Sequence, residues 1–334
     1  MLDEEQSKAM IDSVQLFDRY MQLSRDSLST HGSMRWKRVK EKEYLFHGRG
    51  SRGYGKSLGV KSEETERVYR DFNSQKKQNA TSLKIAKQQL SNLAQINKRL
   101  KIQRVPSMVA AVLRMLDQNK LLGTNIRIVG TYALYAYEAA VGIQFASSIT
   151  ATRDFDLLLD SGAKLKLAMT LSEKGLLGLL RQADKSFELV YESNSFRAVN
   201  DKGFYIDLIK AAPNPPWHDE LNQIGLNEDL VAAPIDSQRW IINAPKFSHV
   251  VIGEDGFPAR MVVPDPRAFA LHKLWLSKQP DREPLKISRD KHQAQAVAQM
   301  VSEYMPDKPF DEKSLSMFPE KIVSLKSELP IGFE

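Results

Sequence analysis

Two aspartates stand two residues apart in "TRDFDLLLD", Asp154 and Asp156. On a strand, side chains alternate faces, so this spacing sets both carboxylates side by side and turns Phe155 to the other face. Like charges that close repel unless a cation lies between them. A hard divalent cation such as Mg²⁺ takes one or two carboxylates plus substrate phosphates. The plain alternative is a pair of solvated aspartates on an edge strand, but the three leucines that follow favour a buried strand. A third carboxylate, Asp207, sits mid-strand in "GFYIDLIK", where an apolar setting demands a partner or a metal. If the two strands are neighbours, three carboxylates converge at one end of a sheet, the arrangement used for two-metal phosphoryl transfer.

The elements around these residues read as follows. Residues 3–30 form a helix with Ile11, Val14, Phe17, Met21 and Leu23 near one face. Residues 31–60 are glycine-rich and basic, with one short strand in "EYLFH". A second helix starts near Ser62, an N-cap with Glu63 and Glu64 in its first turn. It runs to about Leu100 with a break near "FNSQKKQN", and Leu90, Leu93, Ile96 and Leu100 form its apolar stripe. Pro106 opens a helix that ends at Gly123. "NIRIVG" is a strand and "YALYAYEAAVG" a helix, so Gly130 and Thr131 lie at a strand-to-helix junction suited to a phosphate. Residues 163–182 read as helix, and "FELVYE", "FRAVN", "RWIINA", "SHVVIG" and "ARMVV" as strands, the last two joined across "EDGFP". Helix resumes from Pro266 to about Met300. This alternation calls for an α/β or α+β core, with helices on a mixed sheet.

One motif competes with the aspartates. "GSRGYGKS", residues 50–57, satisfies the phosphate-loop pattern G-x-x-x-x-G-K-[ST]. Such a loop follows a buried strand and opens directly into a helix, whereas here helical character returns only near Ser62. No acidic strand supplies the second metal-binding element. The match is read as a decoy, which leaves open a phosphate contact through Arg49, Arg52 and Lys56.

The order strand, Gly-Thr, helix, strand with Asp-x-Asp, then a later strand with Asp resembles the nucleotidyltransferase fold of the polymerase β superfamily. "KSLGVKSEETE", "VGTYALYAYEAAVG", "GLLGLLRQAD", "RAVNDKGFYIDLI", "PPWHDE", "NAPKFSHVVIGEDGFPARMVVPDPRAFALHKLWLS" and "EPLKISRDKHQAQAVAQMV" narrow the resemblance. They are similar to a bacterial family of uncharacterised nucleotidyltransferase-fold proteins, over residues from Trp36 to Val301. The resemblance implies an α+β fold, a mixed sheet with flanking helices, carrying a helical N-terminal region and a helical C-terminal domain. It implies Mg²⁺, with Mn²⁺ as a substitute, and an NTP as substrate. Gly130 and Thr131 would hold the triphosphate. Asp154 and Asp156 would ligate the metals, and Asp207 would complete the site and assist deprotonation of the acceptor. Thr131 departs from the usual serine or glycine: it keeps the hydroxyl and adds a methyl. The helical segment after the catalytic domain also resembles that of toxin-type nucleotidyltransferases, which makes Lys273, Lys286 and Arg289 nucleotide-binding candidates.

The domains expected are a helical, basic region 1–105, a catalytic domain 106–265 and a helical domain 266–334. With 334 residues the chain exceeds the size of a small single core. It has no cysteine, which excludes disulfides and thiolate metal sites. The acidic start "MLDEEQSKAM" lacks the apolar core of a signal peptide and no run is long enough to span a bilayer, so a cytoplasmic location and no membrane partner are expected. Net charge is +7, and residues 61–105 hold 11 Lys/Arg against 4 Asp/Glu. That segment is either a solvated helical face or a surface for RNA or another polyanionic acceptor. His272 beside Lys273 is a phosphate contact or a structural residue, and Trp217 a packing anchor or a base-stacking platform. Neither His218 nor His249 has a partner at metal-ligand spacing, and Ser57 and Ser195 lack a nucleophile-elbow context. The reading is therefore transfer of an NMP to RNA or tRNA, a protein or a small molecule. The alternatives are a toxin or defence component working through a protein partner, and a nucleic-acid-binding protein without turnover.

Overall fold

The structure is a computed structural model, and it describes residues 1–48, 55–160, 175–191, 195–215, 229–316 and 318–331. Arg49, Arg52, Trp217, His218 and residues 163–174 of the expected helix lie outside the described residues. Two compact units emerge, Lys8–Lys101 and Met1–Ser7 together with Ile102–Glu334.

The first unit holds most of α1 (Glu4–Ser29), then β1 (Ser33–Val39), β2 (Lys42–Gly48), β3 (Gly55–Val60) and α2 (Glu63–Arg99). Ser62 caps α2 in a capping box whose partner is Thr65. The helix continues for 37 residues without the break expected near "FNSQKKQN". A seam explains this. Its buried residues Asn79, Ala86, Leu90, Leu93 and Asn97 recur at three- and four-residue steps or a full heptad, and Ala9, Ser13, Phe17 and Met21 of α1 recur every four. Two polar clips close the antiparallel pair. Asn97 Nδ2 donates to Ser13 Oγ at 3.0 Å, and Asn79 Nδ2 donates to the Asp26 carbonyl at 3.3 Å. The inward positions thus go to Ser13 and Asn97, and the expected stripe members Ile11 and Ile96 are exposed at 56% and 46%. A hydrogen bond at those points fixes register, which apolar packing alone does not.

β1, β2 and β3 form a three-stranded antiparallel sheet in that order, where the sequence suggested one strand within residues 31–60. Trp36 of β1 and His47 of β2 pack on Tyr69 and Phe72 of α2, with ring centres 5.8 and 5.4 Å apart.

The second unit runs α3 (Ser107–Gln118), β4 (Ile126–Val129), a 3₁₀ turn (Gly130–Ala133), α4 (Leu134–Val141), α5 (Ser147–Thr150) and β5 (Asp154–Leu159). It continues through α6 (Gly175–Ala183), β6 (Glu188–Leu189), β7 (Arg197–Val199), β8 (Tyr205–Ala211), β9 (Ala233–Ile235) and α7 (Gln238–Asn243). The hairpin β10 (Lys246–Ile252) and β11 (Pro258–Pro264) follows, then α8 (Pro266–Leu276), α9 (Pro284–Tyr304) and α10 (Glu320–Val323). The sheet order is β4-β5-β8-β7-β6, with β9 also on β8. β5 is parallel to β8, β8 is parallel to β9, and the other pairs are antiparallel. This is the expected α+β architecture, a mixed sheet flanked by helices. One face of β5 and β8, with Phe155, Leu157, Ile206 and Leu208, enters a core shared with α3, α4, α8 and α9.

"RWIINA" is helix α7 and not a strand. A short apolar run fits either element. Here Ile241 is buried, and the Arg127 guanidinium accommodates the helix end by donating to the carbonyls of Ile241 and Ala244 at 3.2 and 2.9 Å. Helix from Pro266 to Met300 is interrupted between α8 and α9, and each half starts with proline in its first turn. Among the described residues, no helix is long and apolar enough to cross a membrane.

Candidate active site

The sheet register assembles the site. Asp156 on β5 lies opposite Val129 on β4 and opposite Asp207 on β8. Asp154 sits one turn of the pleat along, opposite Tyr205. Strand alternation sends all three carboxylates to one face, while Phe155, fully buried, packs its ring 5.2 Å from that of Tyr132. The strands therefore bring Asp154, Asp156 and Asp207 together on one surface.

Gly130 closes β4 with φ of +68°, a conformation costly for any other residue. A Cβ placed there would lie 2.1 Å from Asp156 Oδ2. The position needs glycine twice over, for the backbone turn and for the room it leaves beside the carboxylate. Thr131, next in the 3₁₀ turn, is buried, and its hydroxyl accepts a hydrogen bond from Gln293 Nε2 of α9 at 3.1 Å.

Arg197 on β7, which sequence reading missed, changes the electrostatics. It lies opposite Asp207 in the β7–β8 pair and binds that carboxylate with two hydrogen bonds, Nε to Oδ1 at 2.6 Å and Nη2 to Oδ2 at 2.5 Å. The same Nη2 is 3.9 Å from Asp154 Oδ1. The hydrogen bonds to Asp207 hold the guanidinium charged, well above its ordinary value. Its signal lies in the hairpin register: β7 and β8 pair about Lys202, which sets residue 197 opposite residue 207.

Among the described residues, Asp156 has no such partner. Its carboxyl is pushed up to about 7, first by burial, then by the negative charge of Asp207, with Asp154 adding to it, while Lys273 and Arg197 pull the other way. Among the described residues, no hydrogen bond offsets that burial.

Beside Asp156 and Gly130 lies a pocket of about 190 Å³, lined also by Gln238, His272, Lys273 and Arg282. Lys273 is buried and donates to Asp290 Oδ1 at 2.7 Å, while Arg282 takes Oδ2 at 2.8 and 2.6 Å. Burial lowers the Lys273 ammonium, and Asp290 and Asp156 act against that. Burial pulls His272 down to about 3, so its imidazole is neutral. Gln238 Oε1 and His272 Nε2 are buried without a hydrogen-bond partner among the described residues. The other two basic candidates lie apart from the pocket lining. Lys286 pairs with Glu283 at 2.9 Å on the surface, and Arg289 Nη1 donates to the Ala151 carbonyl at 3.2 Å, just ahead of β5.

Among the described residues, no three His, Cys, Asp or Glu side chains converge tightly enough to hold a metal ion. The pair Asp154 and Asp156 fits a hard divalent cation that completes its shell with substrate oxygens. The Asp156 carboxylate, seated where a Gly130 side chain would stand, and the pocket that both residues line are the two observations for that fit. Asp207 would enter such a shell through the lone pairs that its two hydrogen bonds with Arg197 leave free.

A family model described as Nucleotidyltransferase matches residues 107–319. No curated protein and no solved structure matches the chain. The match spans more than half of the 334 residues and contains the paired aspartates, Gly130, Asp207 and the α8–α9 helices, so the chain belongs to the nucleotidyltransferase family, whose members transfer phosphorus-containing groups.

Proposed function

We propose that this protein transfers a nucleoside monophosphate from an NTP to an acceptor, with Asp154 and Asp156 as the metal-holding pair and Asp207 as the third acidic group. The observation that carries the reading is the register of β5 and β8, with Gly130 backed against Asp156. In the reaction an acceptor oxygen attacks the α-phosphorus, a new P–O bond forms, the bond to pyrophosphate breaks and pyrophosphate departs, and the acceptor proton passes to solvent with Asp207 assisting. Asp154 and Asp156 would hold a divalent cation, Mg²⁺ or Mn²⁺, which would supply positive charge against the triphosphate and the developing charge. The glycine turn lets backbone N–H groups approach the phosphates. Lys273 adds positive charge at the pocket wall. The unpartnered Gln238 and His272 atoms supply hydrogen-bonding edges for an uncharged part of the substrate. RNA or tRNA, a protein side chain and a small molecule are the acceptor classes, and the exposed cations of α2 favour a polyanion. The setting is cytoplasmic.

The test is incubation with each of four α-labelled NTPs, Mg²⁺ or Mn²⁺, and total cell RNA or lysate, followed by tracking of the label. Transfer that falls at least ~100-fold in Asp156→Asn is the expected result. Absence of NTP binding with either metal would sink the reading.

One observation favours a second reading, binding without turnover. Arg197 occupies Asp207 and reaches toward Asp154, which supplies a cation where a metal-dependent enzyme needs access. Under this reading the protein acts as a toxin or defence component through a partner, or as a nucleic-acid binder. The Asp154→Ala/Asp156→Ala variant then keeps full biological activity.

A further inference from the structure

The three-stranded sheet of residues 33–60 has one covered face and one open face. Trp36, Leu45 and His47 belong to the covered face, where Leu45 is fully buried. On the open face of β1, Ser33, Arg35, Lys37 and Val39 are all exposed. Opposite them on β2, in register, stand Phe46 across from Arg35, Tyr44 across from Lys37, and Lys42 across from Val39. Both rings are partly exposed. Lys37 Nζ lies 5.9 Å from the centre of the Phe46 ring. Residues 33–60 carry 8 Lys/Arg against 2 Asp/Glu. Of those two acids, Glu43 points to the covered side, bound to Lys61 at 2.7 Å, and Glu41 is in the turn between strands.

We propose that this open face binds single-stranded nucleic acid, with bases stacked on Tyr44 and Phe46 and phosphates met by Arg35, Lys37 and Lys42. Two strand residues separate the rings by roughly 7 Å, so each ring can take its own base. A cation stands directly across the ladder from each ring, which puts positive charge beside every stacking position. Charge complementarity selects a polyanion, and the paired rings select one whose base faces are accessible. A duplex keeps its bases stacked on each other, so its base faces are not open to these rings. The exposed cations of α2 extend the positive field without adding rings at that spacing. This proposal stands independently of the transfer reaction, since binding is measured without NTP.

Fluorescence anisotropy of the full-length protein with fluorescein-labelled 12-mers of oligouridylate and oligothymidylate tests it between 50 and 200 mM salt. Wild type should bind at least one of them with an affinity that falls steeply with salt. Loss of each ring, in Tyr44→Ala and Phe46→Ala, should weaken binding by ~5-fold or more, and Tyr44→Phe should restore it. Lys37→Gln should flatten the salt slope by about 0.7. A reading that needs no variant is photocrosslinking of a 4-thiouridine oligonucleotide to wild type, which should map to Tyr44 or Phe46. The proposal is overturned if the Tyr44→Ala/Phe46→Ala protein, with its circular dichroism intact, binds as well as wild type. Crosslinks confined to other segments, tighter binding of a 12-base-pair duplex, or no binding of either oligomer at 50 mM salt would overturn it equally. So would binding of phosphatidylserine vesicles through these residues without binding of the oligomers.

Discussion

At the residue scale, Asp156 resists ionisation because burial, Asp207 and Asp154 all act against its charge. Its carboxyl rises from 3.8 to about 7, so between those values the folded chain keeps a proton that the unfolded chain has released. Stability therefore declines as pH rises across that window and levels off above it. In metal-free buffer at pH 8, Asp156→Asn should melt a few °C above wild type, and the gap should close near pH 4. Thermal denaturation across that range checks both signs, and Mg²⁺ at pH 8 should raise the wild-type midpoint only. Gly130 makes a complementary test. Alanine there meets a positive φ worth ~1–2 kcal/mol and displaces the Asp156 carboxylate. Turnover should fall by ~100-fold, the scale of a misplaced reacting group, with far-UV circular dichroism unchanged.

At the element scale, α8 and α9 are pinned to one another by Asp290, which is fully buried and shared by Lys273 and Arg282. Removing one partner of a buried ion cluster leaves the others uncompensated. Asp290→Ala should cost ~3–5 kcal/mol in denaturant unfolding, and adding Lys273→Met should recover part of that. How well the sequence revealed each element depended on the kind of periodicity it carried. β5 and β8 were legible because their central residues are apolar apart from the aspartates, with Lys210 near the end of β8. β1 and β3 were missed because an open, cationic face leaves too few apolar residues to mark a strand. α7 was misread because a three-residue apolar run has no period of its own, and Arg127 from a distant strand bonds the carbonyls at its end. At the site, the carboxylates showed in the spacing. Arg197 did not, because its meaning depends on a hairpin register and not on its neighbours in sequence.

At the scale of the whole molecule, each compact unit has its own buried interior. The large core draws on residues from Val105 onward, while Phe17, Met21, Leu90 and Leu93 line the α1–α2 seam. Phe17→Ala should cost ~3–5 kcal/mol, and hydrogen exchange should report the loss in residues 8–101 while protection of β5 and β8 is retained. The two polar clips in that seam, Ser13 with Asn97 and Asp26 with Asn79, have a consequence for how the chain can change. Each clip by itself opposes a slide of one helix along the other, since a single turn would part its donor and acceptor by about 5.4 Å. Both together act as a caliper whose jaws are set at two points. Seven residues inserted into α2 between Asn79 and Asn97 would preserve every apolar position and still open one jaw, unless α1 lengthened by the same amount.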